Sequence, residues 1–309
     1  MLRIYIEMVK VKIADLSETS KLPPNIFENL MGDLFNFSKS KEELFLRKNT
    51  IALSPVQVAK FKKYEKEIVE RGVPYQYAIK KSYFYGREFY IDENVLIPRP
   101  ETELLVESAI KHIKYGFCRR SSTKAIPYQV IDVGTGSGCI AISLASEIAK
   151  MEVKSGRPAK PGMAGPKLKV KIHAVDISRK ALNVAIMNTK NYKTKIKFLK
   201  SNLLDNPELP KKFDLILANL PYLPSTDITS KHPICHEPRV ALDGGQDGLD
   251  LIKKLITKLP ERLTVNGLAI LEIDPRQKTK IAEFANKLGL QIEFKKDLAN
   301  RTRLAIITE

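Results

Sequence analysis

The chain has 309 residues, of which 43% are hydrophobic, a balance that excludes a fully disordered or fibrous protein and at this length predicts two domains. Its 52 basic and 35 acidic residues leave a net charge of +17, and three cysteines without a CxxC pair argue against a disulfide framework or a zinc knuckle. No apolar run reaches the ~18 residues of a membrane helix, and the opening MLRIYIEMVKVK lacks a signal-peptide core, so a cytoplasmic protein is expected.

The first eighty residues read as helical. Leu44 and Leu46 precede Ser54-Pro55, which has the form of a helix N-cap followed by proline in the first turn. Val58, Phe61, Ile68 and Val69 then recur at near-helical spacing. Between 81 and 97 the period shortens, with Tyr83, Tyr85, Phe89, Ile91, Val95 and Ile97 at odd-numbered positions around Gly86, which predicts a two-stranded hairpin. IPRP at Ile97, Pro98, Arg99 and Pro100 enforces an extended segment and marks a domain boundary. The expected division is 1–80 for an N-terminal helical domain, 81–99 for a hairpin linker, and 100–309 for a second domain.

A helix is predicted over 101–115, with Gly116 as its stop. Strands are predicted at 130–133, 169–175, 196–199, 213–218, 268–273, 290–294 and 304–308, with helices at 140–150, 180–188, 250–259 and 279–288. This alternation implies a doubly wound, mostly parallel sheet. The last two strands are joined by too few residues for a crossover helix, so they should be antiparallel. Residues 151–167, rich in proline, glycine and lysine, read as a flexible insertion.

The chemistry concentrates at strand ends. VIDVGTGSGCIAISLA at 130–145 runs an apolar strand through Asp132 into Gly134, Thr135, Gly136, Ser137 and Gly138, and then into a helix whose N-terminal amides are free. The spacing matches neither a dinucleotide GxGxxG nor a P-loop. The next strand ends in AVDIS and places Asp176 at the crevice, where a carboxylate accepts from both ribose hydroxyls. Asn202 and Leu203 follow the third strand at an adenine position. Together these loops describe S-adenosylmethionine binding better than nicotinamide binding. The fourth strand ends in Asn219, Leu220, Pro221 and Tyr222. In such a loop the asparagine carbonyl and the next backbone carbonyl form two acceptors for an NH2 group, and Tyr222 offers an aromatic face.

These strings resemble the HemK/PrmC family of protein-(glutamine N5) methyltransferases, which modify peptide-chain release factors. The resemblance runs from about Arg71 to the end of the chain. It rests on FYGREFYIDENVLIPRPETELLVE at 84–107, the glycine loop, AVDIS, the NxPY loop and EPRVALDGGQDGLD at 237–250. It implies a class I S-adenosyl-L-methionine-dependent methyltransferase, Rossmann-like, with a seven-stranded mostly parallel sheet, a small N-terminal helical domain and a linking β-hairpin. By the resemblance, Gly134, Thr135, Gly136, Ser137, Gly138, Asp176, Leu203 and Asn219 bind the cofactor, and Asn219, Leu220, Pro221 and Tyr222 hold the substrate amide and are catalytic. The implied partner is the GGQ domain of a release factor, met by a monomeric enzyme without a metal or a membrane. IPRPETE and Glu237, Pro238 and Arg239 would shape the walls. Three positions depart from the family: Leu220 stands for the first proline of Asn-Pro-Pro-Tyr, Lys80 for a glycine and Asn202 for an aspartate.

Two other readings remain. NLPY is also the form in ribosomal-RNA adenine dimethyltransferases, although those lack IPRPETE. The +17 charge also fits a basic RNA- or ribosome-binding module with a vestigial site: residues 150–171 hold seven basic and one acidic side chain, and 179–200 seven basic and none acidic. Aromatic residues do not interleave with these lysines, so nucleic acid is the less favoured partner. The tripeptide Gly244, Gly245, Gln246 copies the substrate's GGQ and reads as coincidence. His232, Cys235 and His236 read as a surface loop, because no fourth ligand lies near.

Overall fold

The computed structural model describes residues 10–35, 50–119, 127–155, 169–229 and 233–309. The chain forms two units, Met1–Lys81 and Ser82–Glu309. In the first, Val11–Lys12 (β1), the helices Ile13–Thr19 (α1) and Pro24–Phe35 (α2), Ala52–Leu53 (β2), and the helices Pro55–Arg71 (α3) and Tyr75–Ile79 (α4) follow one another. The antiparallel β1–β2 pair is an addition to the helical reading, since two residues carry no periodicity. Ser54 caps α3 as expected: its side chain accepts from Gln57 N–H at 3.3 Å, and the Gln57 side chain accepts from Ser54 N–H at 2.9 Å, a box worth ~1 kcal/mol. Ile13, Leu16, Phe27, Leu30, Met31 and Phe61 form this unit's core. Lys80, in the position of a family glycine, closes α4 in the left-handed region at φ 57°. Leu44 and Leu46 lie outside the described residues.

The hairpin joins Lys81–Phe84 (β3) to Arg87–Tyr90 (β4). Its inward face differs from the odd-numbered pattern. Tyr83 is exposed, while Ser82 and Phe84 are buried together with Arg87 and Phe89. Tyr85 and Gly86 both take left-handed φ, 52° and 67°, as a two-residue hairpin turn demands. Such a turn places even-numbered residues of one strand on the same face as odd-numbered residues of the other. Val95 and Ile97 are buried in a loop beyond the hairpin, not in a strand.

Strands and helices then alternate: Glu103–Arg119 (α5), Tyr128–Val133 (β5), Cys139–Ser155 (α6), Val170–Asp176 (β6), Arg179–Tyr192 (α7), Ile196–Lys200 (β7), Phe213–Ala218 (β8), Asp250–Arg262 (α8), Leu263–Glu272 (β9), Lys278–Lys287 (α9), Gln291–Lys296 (β10) and Thr302–Thr308 (β11). Helix α5 runs through Gly116 instead of stopping there. The residues 151–155 assigned to an insertion are the last turn of α6, and 156–168 lie outside the described residues.

The seven strands lie in the order β10-β11-β9-β8-β5-β6-β7. Strand β11 is antiparallel to both β9 and β10, as the short final connection required, and the remaining neighbours are parallel. This is the Rossmann-like sheet of a class I methyltransferase. Strand β8 is buried along its whole length. The chain steps outward from β5 through β6 to β7, then returns to β8 on the other side of β5, so the switch in strand order falls between β5 and β8. In open α/β sheets the crevice beyond the carboxyl ends of the strands at that switch binds ligands. At the far edge, Lys193, Lys195, Lys197 and Lys200 are exposed on and before β7, where charge keeps an open strand edge from pairing.

Candidate active site

Register assembles the site. Val175, Val133, Ala218 and Leu271 form one row across β6, β5, β8 and β9. One residue further along these four strands come Asp176, Gly134, Asn219 and Glu272. Four positions far apart in sequence therefore emerge side by side at the carboxyl edge of the sheet.

The glycine loop turns here because Gly134, Gly136 and Gly138 hold φ of 76°, 53° and 79°. Gly134 and Thr135 donate their N–H groups to Val175 O, both at 2.9 Å. A Cβ on Gly138 would stand 3.0 Å from Ile142 Cδ1 and 3.1 Å from Ala185 Cβ, so that glycine is needed for packing against α7. A Cβ on Gly136 would meet nothing within 4 Å and would project into open space. Asp176 fixes this loop: its Oδ2 accepts from Gly136 N–H at 2.9 Å and its Oδ1 from Ser178 N–H at 2.8 Å. Burial raises its pKa against those hydrogen bonds. Beneath the loop, Asp132 is fully buried. It accepts from Thr135 Oγ1 at 2.7 Å, and burial pushes its carboxyl up to about 7.

The NLPY loop leaves β8 beside this turn. Leu220 is buried, and its Cδ2 would lie 3.2 Å from a Cβ on Gly134. Asn219 Nδ2 donates to Thr102 Oγ1 at 3.0 Å, which connects the loop to the ETE segment. Tyr222 turns its hydroxyl to Glu272 Oε1 at 3.5 Å, and burial with that carboxylate nearby raises the phenol's pKa. Gln277 bridges Tyr222 O at 2.9 Å and Gly248 O at 3.0 Å. The GGQDG turn supports the same loop from behind. A Cβ on Gly244 would come to 2.7 Å from Pro221 O, and one on Gly248 to 2.2 Å from Tyr222 O. Close backbone approach thus accounts for Gly244 of the chain's own GGQ, whereas Gly245 holds φ 92° with the Asp250 carboxylate where a Cβ would stand, and Gln246 is exposed.

The two wall strings are joined to each other. Glu237 is buried, its Oε2 accepts from Ile97 N–H at 3.0 Å, and its Oε1 accepts from the Arg99 guanidinium. IPRP and EPR therefore form one rim. The cleft within it has a volume of about 240 Å³ and a largely apolar lining. Gly134, Thr135, Gly136, Ser137, Asp176, Leu203, Asn219, Leu220 and Pro221 line it, while Gly138 faces α7 and Tyr222 lies below the loop. The open space over Gly136, the carboxylate of Asp176 and the exposed apolar side chain of Ile177 beside it suit the glycol, sugar and planar base of a nucleoside, as S-adenosylmethionine would present them. Leu203 holds φ 50° and faces the same cleft. A carboxylate has about four lone-pair sites, so the backbone bonds of Asp176 leave acceptor capacity for ribose hydroxyls.

Thr102, Glu272 and Gln277 received no individual roles from the sequence. A glutamate ending the otherwise apolar run LAILE was the available signal for Glu272. His232 lies outside the described residues, and among the described residues no group of three or more His, Cys, Asp or Glu is placed to hold a metal. No helix among them is long and apolar enough to cross a membrane.

The methyltransferase domain family matches residues 127–258. The release factor glutamine methyltransferase of Bacillus subtilis is 32% identical over 252 residues, covering 80% of this chain and 79% of that one. The release factor glutamine methyltransferase of Borreliella burgdorferi is 34% identical over 243 residues, covering 77% and 74%. Among solved structures, the protein-(glutamine-N5) methyltransferase (release factor-specific) from Alicyclobacillus acidocaldarius aligns at 25% identity and a TM-score of 0.37, over 72% of this chain and 99% of that chain. With relatives of this identity aligned over most of both chains, and with the glycine loop, the NLPY loop and the joined IPRP–EPR rim around one cleft, the chain belongs to the release factor glutamine methyltransferase family.

Proposed function

We propose that the chain transfers a methyl group from S-adenosylmethionine to the side-chain amide nitrogen of a glutamine in a peptide-chain release factor, the glutamine of its GGQ tripeptide. The observation that carries this reading is Asn219. It stands one residue past β8, beside the glycine loop and in the wall of the cleft, with its NH2 group already committed to Thr102. Its Oδ1 is thereby left as an acceptor for the substrate.

An amide nitrogen is a poor nucleophile, because its lone pair is delocalised into the carbonyl. Asn219 Oδ1 and the Leu220 carbonyl would accept its two N–H bonds and aim the nitrogen. S-adenosylmethionine, when bound, supplies a methyl carbon already activated by its sulfonium. The chain's contribution is alignment, which in well-oriented reactions supplies ~7–11 kcal/mol of the barrier. Gly136 provides room on the cleft floor, Asp176 provides acceptors for ribose, and the apolar walls keep water out. Tyr222, fixed by Gln277 and Glu272, supports the loop from beneath. Residues 1–80 and the hairpin at 81–99 would present the release factor to the domain at 100–309. A monomer working in the cytoplasm suits a substrate that acts on ribosomes.

The test incubates the protein with labelled cofactor and, separately, a release factor, its Gln→Ala variant and ribosomal RNA. Label on the intact release factor alone, lost with Asn219→Ala, is the expected result. Label on RNA or on the Gln→Ala variant would overturn the reading, because adenine's exocyclic amine offers the same two donors.

A further inference from the structure

Asn219 serves as an acceptor only when its side-chain oxygen, and not its NH2 group, faces the substrate. The two ends of the amide have nearly the same shape, and a flip would put donors against the donors of a glutamine. Thr102 Oγ1 touches the NH2 end at 3.0 Å. A hydroxyl both donates and accepts, so Thr102 alone does not select an orientation. Its other neighbour does. Glu272 follows the Ala218–Leu271 pair and so stands beside Asn219 at the sheet edge; it is 1% exposed, its Oε2 is buried with no hydrogen-bond partner in place, and the Thr102 hydroxyl favours its charged form.

A carboxylate only accepts. With its hydroxyl turned to the open Oε2 of ionised Glu272, Thr102 would give up its single proton to that bond and leave its oxygen with lone pairs alone toward Asn219. We propose that Glu272 and Thr102 are positioning residues that set the orientation of the Asn219 amide, through a chain in which Thr102 donates to Glu272 and Asn219 donates to Thr102. The inference rests on the reading of Asn219 as the acceptor for the substrate amide. Both residues reach the site from elsewhere in the fold, Glu272 from the end of β9 and Thr102 from the turn Pro100–Thr102.

The device responds to pH. Burial raises Glu272 to about 6, while Thr102, Arg303 and Tyr222 draw it down and Glu101 pushes it up. Cys139 also faces it, and Arg99 and Asp274 act on the adjoining Tyr222. A protonated Glu272 no longer claims the Thr102 proton, and that proton is then free to turn to a flipped Asn219 Oδ1. Orientation is therefore complete above the pKa of Glu272 and is lost as the pH falls through it.

The full chain is assayed with a release factor and labelled S-adenosylmethionine at pH values on both sides of 6. Thr102→Val keeps the shape, removes the oxygen, and should lower kcat by between ~10-fold and ~100-fold, with KM for the cofactor changed less than about twofold. Thr102→Ser should restore most of the loss. Glu272→Gln should lower kcat at neutral pH and flatten the acid limb seen in the unmodified protein. Unchanged kcat in Thr102→Val, failure of Thr102→Ser to rescue, or an unaltered acid limb in Glu272→Gln overturns the proposal. A second readout needs no turnover. In protein carrying isotope-labelled asparagine, the side-chain NH2 resonances of Asn219, assigned by their loss in Asn219→Asp, should shift and exchange faster with water in Thr102→Val. Identical resonances overturn the proposal. Shifted resonances in a chain that methylates no release factor would instead uphold the positioning device and sink the proposed function.

Discussion

Alanine at Gly136 and alanine at Gly138 should separate room for the cofactor from packing of the loop. Both positions hold left-handed φ, 53° and 79°, so each alanine carries a backbone cost of ~1–2 kcal/mol. At Gly136 the new methyl meets no atom within 4 Å, and the cost ends there. At Gly138 it comes to 3.0 Å from Ile142 Cδ1 and 3.1 Å from Ala185 Cβ. The resulting overpacking adds ~1–3 kcal/mol, for a total of roughly 2–5. Binding should show the opposite order. The Gly136 methyl enters the cleft where the nucleoside would lie and should weaken S-adenosylmethionine by at least ~10-fold, or ~1.4 kcal/mol. The Gly138 methyl points at α7 and should affect binding only through the loop's altered packing. Urea unfolding reads the first quantity and titration calorimetry the second. Full affinity in Gly136→Ala, or a loss of stability there equal to that of Gly138→Ala, would refute the assignment of the cleft floor.

Asp176→Ala removes an acceptor shared between the glycine loop and the expected ribose, and should weaken S-adenosylmethionine by ~1.5–3 kcal/mol, the worth of hydrogen bonds to a charged group; unchanged affinity by calorimetry would sink that role. Asp132 should impose a pH-dependent cost on stability. Its folded pKa of about 7 lies above the ordinary carboxylate value of 3.8, so between these two pH values the folded chain holds a proton that the unfolded chain has lost. Stability then falls as pH rises across that window, by up to ~1.4 kcal/mol per pH unit, and levels off above it. Asp132→Asn should abolish this slope in urea unfolding at pH values within the window, and equal slopes in the two proteins would refute the assignment.

The sheet was legible because strands buried on both faces, such as β8, read as unbroken apolar runs, and glycines mark where β5 turns into α6. The hairpin's location was legible too, but its inward face was not, because a two-residue turn exchanges the parity of the buried positions. Gly116 failed as a stop because a glycine ends a helix only where the chain adopts left-handed φ, and a single sequence does not show that. The same distinction holds at the site. Residues within one strand-end loop, such as Asn219 to Tyr222, could be named from their string. Thr102 and Glu272 could not receive roles, because their proximity to Asn219 depends on register across β8 and β9 and on the fold of the 3-10 turn.

Leu220 shows how such cross-chain support compensates for a departure within the string. A proline there would fix its own φ and restrict Asn219 before it. Leucine does neither, so the loop's conformation has to come from its surroundings. The leucine side chain is buried over Gly134, which carries no Cβ to obstruct it. Leu223 N–H donates to Leu242 O at 3.0 Å, and Gly244 N–H returns a bond to Leu223 O at 2.9 Å. Gln277 holds the Tyr222 carbonyl, and Thr102 holds the Asn219 amide. Each restraint comes from a different part of the second unit, and each acts on a residue adjoining or near Leu220. The conformation of Asn219 is thus set by the neighbours of the loop more than by the residue that follows it, which is why leucine in place of proline is compatible with the acceptor geometry proposed for it.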